Sequence, residues 1–312
     1  MPQYNRRELD VKAREYGFNR DTFEKVLRLR TILEFMNTHK YLHEHLLLKG
    51  GTAINLTVFN LPRLSVDIDL DFVPNLTRDE TISERERLTE ILNGYMSEQG
   101  YYLSEASRFS HSLDAFYYNY VNAAGNKDMI KIEINYSLRT HVLQTENRIL
   151  VTDAFGEPIK VTTVASMEIF AAKTNALLSR AAARDLYDFC NMVDMSLFSE
   201  EEDKFRKCII FYASISAKEL NKDFDTSAID SIVFSKIKTD LFPVLAVRDK
   251  FDLEGKKQQA KEYISSLMKP TEMENEYMER FMVKDYKPEL LFADAEILNR
   301  ISNHPMALWK CR

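Results

Sequence analysis

The stretch that decides the fold runs from Val66 to Val73 and reads Val-Asp-Ile-Asp-Leu-Asp-Phe-Val. Apolar and acidic residues alternate with the two-residue period of a β-strand, so Asp67, Asp69 and Asp71 share one face. Neighbouring aspartates on this face lie about 7 Å apart and repel each other by about 2 kcal/mol at an effective dielectric constant of about 20. Strands disfavour aspartate, whereas hard carboxylate oxygens on a rigid strand suit Mg²⁺. The stretch therefore predicts a cation-binding strand, with a solvated strand face as the alternative.

A glycine turn precedes this strand. Residues 46–49 read Leu-Leu-Leu-Lys, Gly50 and Gly51 follow, and residues 52–59 can form a helix. A strand, a glycine turn and a helix in this order let the backbone approach a ligand closely. The N–H groups at the helix start favour an anion such as a nucleoside triphosphate, and Thr52 offers a hydroxyl donor. Gly-Gly-Thr by itself is more often an ordinary turn.

Composition limits the classes of protein to which the chain can belong. It has 312 residues, of which 45% are hydrophobic, enough to bury a sizeable core in two lobes. The formal net charge of −6 excludes a general coat of basic residues, so any RNA contact requires a local basic patch. No apolar run reaches membrane-spanning length, and the polar N-terminus has no signal-peptide pattern. We expect a cytoplasmic protein without a membrane partner.

Further strands and helices indicate an α+β fold. Residues 129–136 alternate like the aspartate strand, which places Lys131 and Glu133 on one face. Residues 101–104, 115–121 and 158–164 also have strand-like composition, and a hairpin loop at 122–127 joins two of these runs. Two helices are predicted within residues 7–39 and one at 81–96, and the chain after residue 194 is predicted to be entirely helical.

A basic stripe is predicted on one long helix from residue 167 to about residue 193. Lys173, Arg180 and Arg184 are seven and eleven residues apart, which places them within about 40° of one another at 3.6 residues per turn. Three cations on one stripe favour an anion. Ordinary ion pairs on a solvated helix face are the alternative.

Two aspartates accompany this stripe. Asp188 is four residues after Arg184 and can pair with it. Asp185 points to a different side of the helix, where it can order a neighbouring arginine or loop.

These motifs together resemble those of a known enzyme superfamily, the polymerase-β-like nucleotidyltransferases, in which a Gly-Gly or Gly-Ser turn precedes an Asp-x-Asp strand. Lys-Gly-Gly-Thr-Ala at residues 49–53 and Leu-Pro-Arg-x-Ser-x-Asp-Ile-Asp-Leu at 61–70 look more closely like the AbiEii/AbiGii-type toxins. Those proteins are the nucleotidyltransferase half of type IV toxin–antitoxin and abortive-infection pairs. Lys-x-x-Ala-x-x-x-Arg-x-x-x-Arg-Asp-x-x-Asp at 173–188 matches the second signature of that family.

The resemblance implies a fold and an activity. The fold would be a nucleotidyltransferase core, a small mixed sheet flanked by helices, in residues 1–165. Residues 166–312 would form a helical lobe that contributes the Lys/Arg helix to the site. The enzyme would transfer a nucleoside monophosphate from a nucleoside triphosphate (NTP) to the 3′ end of tRNA and release pyrophosphate. The partner would be a cognate antitoxin protein.

The resemblance also implies roles for single residues. The metal, Mg²⁺ or Mn²⁺, would be bound by Asp67, Asp69 and Glu133, and Glu133 would alternatively be the base for the acceptor hydroxyl. The catalytic set would be Asp67, Asp69, Glu133, Lys173, Asp185 and Asp188. The nucleotide-binding set would be Lys49, Gly50, Gly51, Thr52, Arg63, Ser65, Lys131, Lys173, Arg180 and Arg184, with Arg63 and Ser65 in supporting positions.

Two alternative functions follow from the same residues. One is a nucleotidyltransferase that modifies protein side chains, which the superfamily also includes. The other is a scaffold that binds a nucleotide or a partner without catalysis. The presence of both aspartates, Glu133 and Lys173 counts against the scaffold, because a degenerate site would have lost some of them.

Overall fold

The structure is a computed structural model, and it describes residues 4–151, 154–216 and 220–312. The chain forms two compact units. The first comprises the chain up to Arg139 together with Glu146–Thr163 and Val244–Arg248, and the second comprises Thr140–Thr145, Val164–Pro243 and Asp249–Arg312. Both units are therefore discontinuous in sequence, unlike the contiguous ranges 1–165 and 166–312 that the sequence suggests.

The first unit contains all eight strands that the structure describes. Its helices are α1 (Arg6–Tyr16), α2 (Arg20–Thr38), α3 (Lys40–His45), α4 (Gly50–Thr57) and α5 (Arg78–Glu98). Its strands are β1 (Leu46–Lys49), β2 (Asp67–Phe72), β3 (Tyr102–Leu103), β4 (Arg108–Phe109), β5 (Leu113–Val121), β6 (Lys127–Asn135), β7 (Glu146–Ile149) and β8 (Lys160–Thr163). The strand predicted at residues 66–73 is confirmed as β2.

The strands form one mixed sheet with the order β3-β5-β6-β2-β1-β8-β7, and β4 also pairs with β5. The pairs β2–β6 and β1–β8 are parallel, and the other pairs are antiparallel. Because β2 lies directly beside β6, the aspartate strand and the strand of Glu133 are neighbours.

The two faces of the sheet differ in polarity. On one face the side chains of Ile68, Leu70 and Phe72 from β2 are buried, as are Ile130, Ile132 and Ile134 from β6. Helix α5 lies on this face, where Tyr118 of β5 donates a hydrogen bond of 2.7 Å to Asn93 Oδ1. The alternate residues of the same strands, including the aspartates, point to the opposite face. The buried face therefore anchors the sheet, and the other face is left for polar side chains.

The second unit is helical. Its helices are α6 (Ser166–Arg180), α7 (Ala183–Asp194), α8 (Glu202–Ser216), α9 (Ser227–Asp230), α10 (Phe234–Lys236), α11 (Leu253–Leu267), α12 (Glu272–Met282), α13 (Ala295–Ile301) and α14 (Pro305–Lys310). A π-helical turn covers Ile237–Leu241, and 3-10 turns cover Phe242–Val244 and Pro288–Leu290. This confirms the helical character predicted beyond residue 194. Among the described residues, no helix has the length and apolar content needed to cross a membrane.

A buried carboxylate explains why residues 140–145 belong to the second unit. Glu168 of α6 accepts backbone hydrogen bonds from Val142 N (2.7 Å) and Leu143 N (2.8 Å). It also accepts the hydroxyl hydrogen bond of Tyr212 at 2.6 Å. Burial raises the pKa of Glu168, whereas these donors and His141 lower it.

Candidate active site

On the polar face of the sheet, four charged side chains of β2 and β6 form two directly opposed pairs. Asp67 lies opposite Lys131, and Asp69 lies opposite Glu133 in the parallel register. Lys131 Nζ is 2.8 Å from Glu133 Oε2, which confirms that these two residues share a face. The structure therefore brings together the three carboxylates that the sequence predicted as one set.

Asp69 lies at the centre of this group and is electrostatically strained. Burial, assisted by the negative charges of Asp67 and Glu133, raises the pKa of Asp69 to about 6, although Lys49 and Lys131 oppose the shift. Three carboxylates on one face are thus only partly compensated by the protein's own cations. Such a site favours a bound cation.

Lys49 and Asp71 form an ion pair beside the three carboxylates. Lys49 Nζ is 2.5 Å from Asp71 Oδ1, and the Asp71 side chain is buried. Since Lys49 lies opposite Asp69 in the antiparallel β1–β2 pair, its ammonium group also acts on Asp69. The positive charge of Lys49 therefore offsets the negative charges of both Asp69 and Asp71. Because Asp71 is paired with Lys49, it does not belong to the group formed by Asp67, Asp69 and Glu133.

The glycine turn lies directly against Asp69. Gly50 has a φ of +70°, and a Cβ atom at this position would be 2.2 Å from Asp69 Oδ2. Only glycine satisfies both the left-handed backbone and this close approach. The turn opens α4, and Lys49 at its N-cap makes no side-chain hydrogen bond to the first turn. Backbone N–H groups at the start of α4 are thus placed next to the aspartates, where an anion and a cation can bind together.

Buried polar residues hold the turn onto β2. The Thr52 hydroxyl bonds to Asp67 O and lies 2.9 Å from Ser65 Oγ. A Cβ atom on Gly51 would be 3.0 Å from both Arg63 Nη2 and Ser65 Oγ. Thr52, Arg63 and Ser65 are all buried. The Thr52 hydroxyl therefore supports the turn instead of providing the predicted ligand donor, and Arg63 and Ser65 occupy the supporting positions that the sequence suggested.

A second charged cluster lies in the helical unit. Lys173 Nζ is 3.0 Å from Asp185 Oδ1 and 2.8 Å from Asp188 Oδ2. Arg180 contacts the other oxygen of Asp185 through Nε (3.0 Å) and Nη2 (2.8 Å). Both aspartates are buried, whereas 67% of the Arg180 side chain is exposed. Asp185 orders a neighbouring arginine, as predicted.

The prediction of one helix over residues 167–193 was wrong, and Arg184 does not continue the basic stripe of Lys173 and Arg180. Helix α6 ends at Arg180, Ala181 adopts a left-handed φ of +47°, and α7 begins at Ala183. Because the helix is interrupted at Ala181 and Ala182, the angular spacing that placed Arg184 on the stripe of Lys173 does not apply. Arg184 Nε instead donates to Asp240 O at 2.6 Å, and Asp188 pairs with Lys173.

A family model described as the nucleotidyl transferase AbiEii toxin of type IV toxin–antitoxin systems matches residues 33–280. The chain belongs to this family. Among solved structures, it is similar to MenT4, a nucleotidyltransferase toxin from Mycobacterium tuberculosis H37Rv, with a TM-score of 0.62 and 15% sequence identity. The match covers 98% of this chain and 99% of that chain. No curated protein matches the chain.

The two comparisons confirm the predicted class of enzyme and the predicted fold. The protein is a nucleotidyltransferase toxin of a type IV toxin–antitoxin system, which implies an NTP substrate and an antitoxin partner. The likeness to MenT4 confirms the fold, a mixed sheet flanked by helices. The matched range contains the glycine turn, the carboxylates of β2 and β6, and the Lys173 cluster.

The carboxylates of this AbiEii-family site fit a divalent cation of the Mg²⁺ type. In the described part of the chain, no group of three or more His, Cys, Asp or Glu side chains is placed to hold a metal ion by itself. Mg²⁺ does not require such a cage, since it is usually bound by one or two carboxylates and keeps waters and substrate phosphates as its other ligands. Asp67 and Asp69 would supply the two carboxylates, and the raised pKa of Asp69 reflects negative charge that a cation would offset.

Proposed function

We propose that this toxin transfers a nucleoside monophosphate from an NTP to the 3′ end of tRNA, and that the reaction depends on Mg²⁺ or Mn²⁺. The observation that carries the proposal is the position of Asp69, between the Gly50 backbone and the carboxylates of Asp67 and Glu133. A cation and a polyphosphate would each find complementary charge there. The tRNA acceptor rests on the resemblance of the sequence motifs to AbiEii/AbiGii-type toxins.

The residues of the first unit have separate roles in the proposed reaction. Asp67 and Asp69 would hold the metal, which when bound neutralises the triphosphate and stabilises charge on the attacking and leaving oxygens. The N–H groups at the start of α4 bind a phosphate of the NTP. The acceptor hydroxyl oxygen attacks the α-phosphorus, the bond to the β-phosphate oxygen breaks, and pyrophosphate leaves. Glu133, positioned by Lys131, accepts the hydroxyl proton.

The Lys173 cluster is proposed to serve the same reaction, because its motif matches the second family signature. Within the cluster, Lys173 lies between two buried carboxylates, so its charge is largely compensated. Arg180 is the more accessible cation. We therefore expect Arg180→Ala to raise the KM for the NTP, and Lys173→Ala to lower both activity and stability because it leaves Asp185 and Asp188 without their shared cation.

The deciding experiment incubates the purified protein with Mg²⁺, total cellular RNA and each of the four α-labelled NTPs in turn. Asp69→Asn removes the central carboxylate, and Asp249→Asn is the matched control because Asp249 is exposed. Label on tRNA-sized RNA with wild type and Asp249→Asn, but not with Asp69→Asn, is the expected result.

Other outcomes of this experiment contradict the proposal in different ways. Label found on protein alone would support the enzyme that modifies side chains. Absence of label with every nucleotide would support a binding scaffold. Label that persists after removal of divalent cations with a chelator would contradict metal dependence.

A further inference from the structure

The polar face of the sheet continues beyond the carboxylates onto β5. In the antiparallel β5–β6 register, Ala115 lies opposite Glu133, Tyr117 opposite Lys131, and Asn119 opposite Met129. Residues directly opposite each other in a sheet present their side chains on the same face. Ala115, Tyr117 and Asn119 therefore share the face of Asp67, Asp69 and Glu133.

The two short edge strands extend this face further. Tyr102 of β3 lies opposite Asn119, and Arg108 of β4 lies opposite Ala115. Lys127, at the start of β6, lies opposite Val121 on the same face. The Tyr102 side chain is conspicuous because 72% of its surface is exposed. Arg108, Asn119 and Lys127 are exposed as well, and Tyr117 is half-buried.

We call the set Tyr102, Arg108, Tyr117, Asn119 and Lys127 the acceptor face. In the parts of the chain that the structure describes, none of these five side chains makes a hydrogen bond, an ion pair or a ring contact. The opposite face of β5 differs in this respect, because Phe116, Tyr118 and Tyr120 are buried in the core. The tyrosines of the acceptor face are therefore available to a ligand.

We infer that the acceptor face binds the unpaired 3′ end of the acceptor RNA, an inference that rests on the proposed function. Exposed aromatic rings stack on bases without regard to sequence, and nearby cations contact the phosphates. Neighbouring strands are about 4.8 Å apart, so Tyr117 lies about 10 Å and Tyr102 about 14 Å from the aspartate strand. At about 3.4 Å per stacked nucleotide, these distances correspond to about three or four nucleotides.

The composition and shape of the acceptor face favour RNA over a protein segment. Arg108, Lys127 and Lys131 supply positive charge there, although the chain as a whole is acidic. A peptide that added a strand to the sheet would need a long free edge. Strands β3 and β4 contain only two residues each and are separated by a loop, so they offer no such edge.

The test measures binding of a 5′-fluorescein-labelled single-stranded RNA of about twelve nucleotides by fluorescence anisotropy, with Mg²⁺ and without NTP. Tyr102→Ala and Tyr117→Ala should each weaken binding at least about 5-fold, because each removes a stacking platform. Arg108→Ala should weaken binding and reduce the slope of log K against log salt by about 0.7, the value for one phosphate contact on a single strand.

Matched controls come from the same edge strands. Leu103 and Phe109 are exposed neighbours of Tyr102 and Arg108 that point to the opposite face. Leu103→Ala and Phe109→Ala should therefore leave the Kd within about 2-fold of wild type. Tyr117→Phe keeps the ring and should restore binding. If Tyr117→Ala fails to fold, Tyr102→Ala decides alone, since its side chain is largely exposed.

Catalytic measurements separate this inference from the proposed function. Variants of the acceptor face should raise the KM for RNA and leave the KM for the NTP unchanged. The inference would be overturned, and the proposed function left intact, if wild type binds and labels RNA and if Tyr102→Ala and Arg108→Ala bind and label RNA as wild type does. Absence of RNA labelling by wild type would overturn the proposed function, whereas absence of RNA binding by wild type, or equal loss in the controls, would overturn the inference.

Discussion

At the scale of single residues, the most informative group is the carboxylate of Asp69. Its pKa rises from an ordinary value of 3.8 to about 6, with burial as the largest cause. Between about pH 4 and pH 6 the folded protein thus binds more protons than the unfolded chain, so the free energy of unfolding falls as the pH rises through this window. At neutral pH the ionised Asp69 carboxylate therefore destabilises the folded protein, at the position where the proposed reaction needs a negative charge.

Asp69→Asn should therefore stabilise the protein while abolishing transfer. We expect the free energy of unfolding to increase by about 3 kcal/mol at about pH 8, because the asparagine carries no charge at this partly buried position, and to change little at about pH 4. Urea unfolding at the two pH values measures the difference. Mg²⁺ should stabilise wild type more than the variant. Destabilisation of the variant at about pH 8 would contradict the assignment.

Asp71→Asn is the matched control for this measurement. It lies on the same face of β2, but it pairs with Lys49, and its loss should destabilise the protein by about 2 kcal/mol. If the two Asp→Asn variants change the free energy of unfolding in opposite directions, Asp69 lacks a compensating cation in the protein, whereas Asp71 has one in Lys49.

The Gly50 turn gives a second prediction at this scale. Gly50→Ala should abolish transfer and destabilise the protein by about 1–2 kcal/mol, because a Cβ atom would be 2.2 Å from Asp69 Oδ2 on a backbone with φ of +70°. Gly94→Ala is the control, since a Cβ atom there meets nothing within 4 Å in the interior of α5, and it should be stabilising. Thermal unfolding and the transfer assay test both variants. Normal activity of Gly50→Ala would show that the turn tolerates displacement.

At the scale of elements, the break between α6 and α7 and a continuous helix predict opposite effects of Ala181→Gly on stability. Ala181→Gly should stabilise the protein by about 1 kcal/mol, because Ala181 adopts a left-handed conformation with φ of +47°. In a continuous helix the same change would cost about 1 kcal/mol. Ala172→Gly, in the exposed interior of α6, is the control and should be destabilising. Urea unfolding of the two variants decides between the two conformations.

The two signatures show what the sequence could predict about elements. The alternation in residues 66–73 and the glycines at 50 and 51 predicted a strand, a turn and a helix, because both signals are local. The break at Ala181 has no local signal, because Ala-Ala-Ala is a strong helix former. The contacts of Arg180 with Asp185 and of Arg184 with Asp240 O outweigh this helix propensity. Strand register is equally non-local, so only the structure places Tyr117 beside Lys131.

At the scale of the whole molecule, net charge and local charge have opposite signs. The chain has a formal net charge of −6, so long-range electrostatics repel RNA. The acceptor face, with the adjacent Lys131, supplies three cations, and the site carboxylates must be neutralised before a polyanion can approach. Binding of RNA is therefore expected to depend on a small number of contacts and on the presence of a divalent cation.

The salt dependence of RNA binding tests this expectation. Three phosphate contacts at about 0.7 each predict a slope of about −2 for log K against log salt. Anisotropy titrations of single-stranded RNA over a range of KCl concentrations, at constant Mg²⁺, measure the slope for the intact protein. Lys127→Ala should make the slope shallower by about 0.7. A slope steeper than about −4 would indicate a wide basic surface that the charge distribution does not provide, and a slope near zero would mean that RNA is held without contacts to its phosphates.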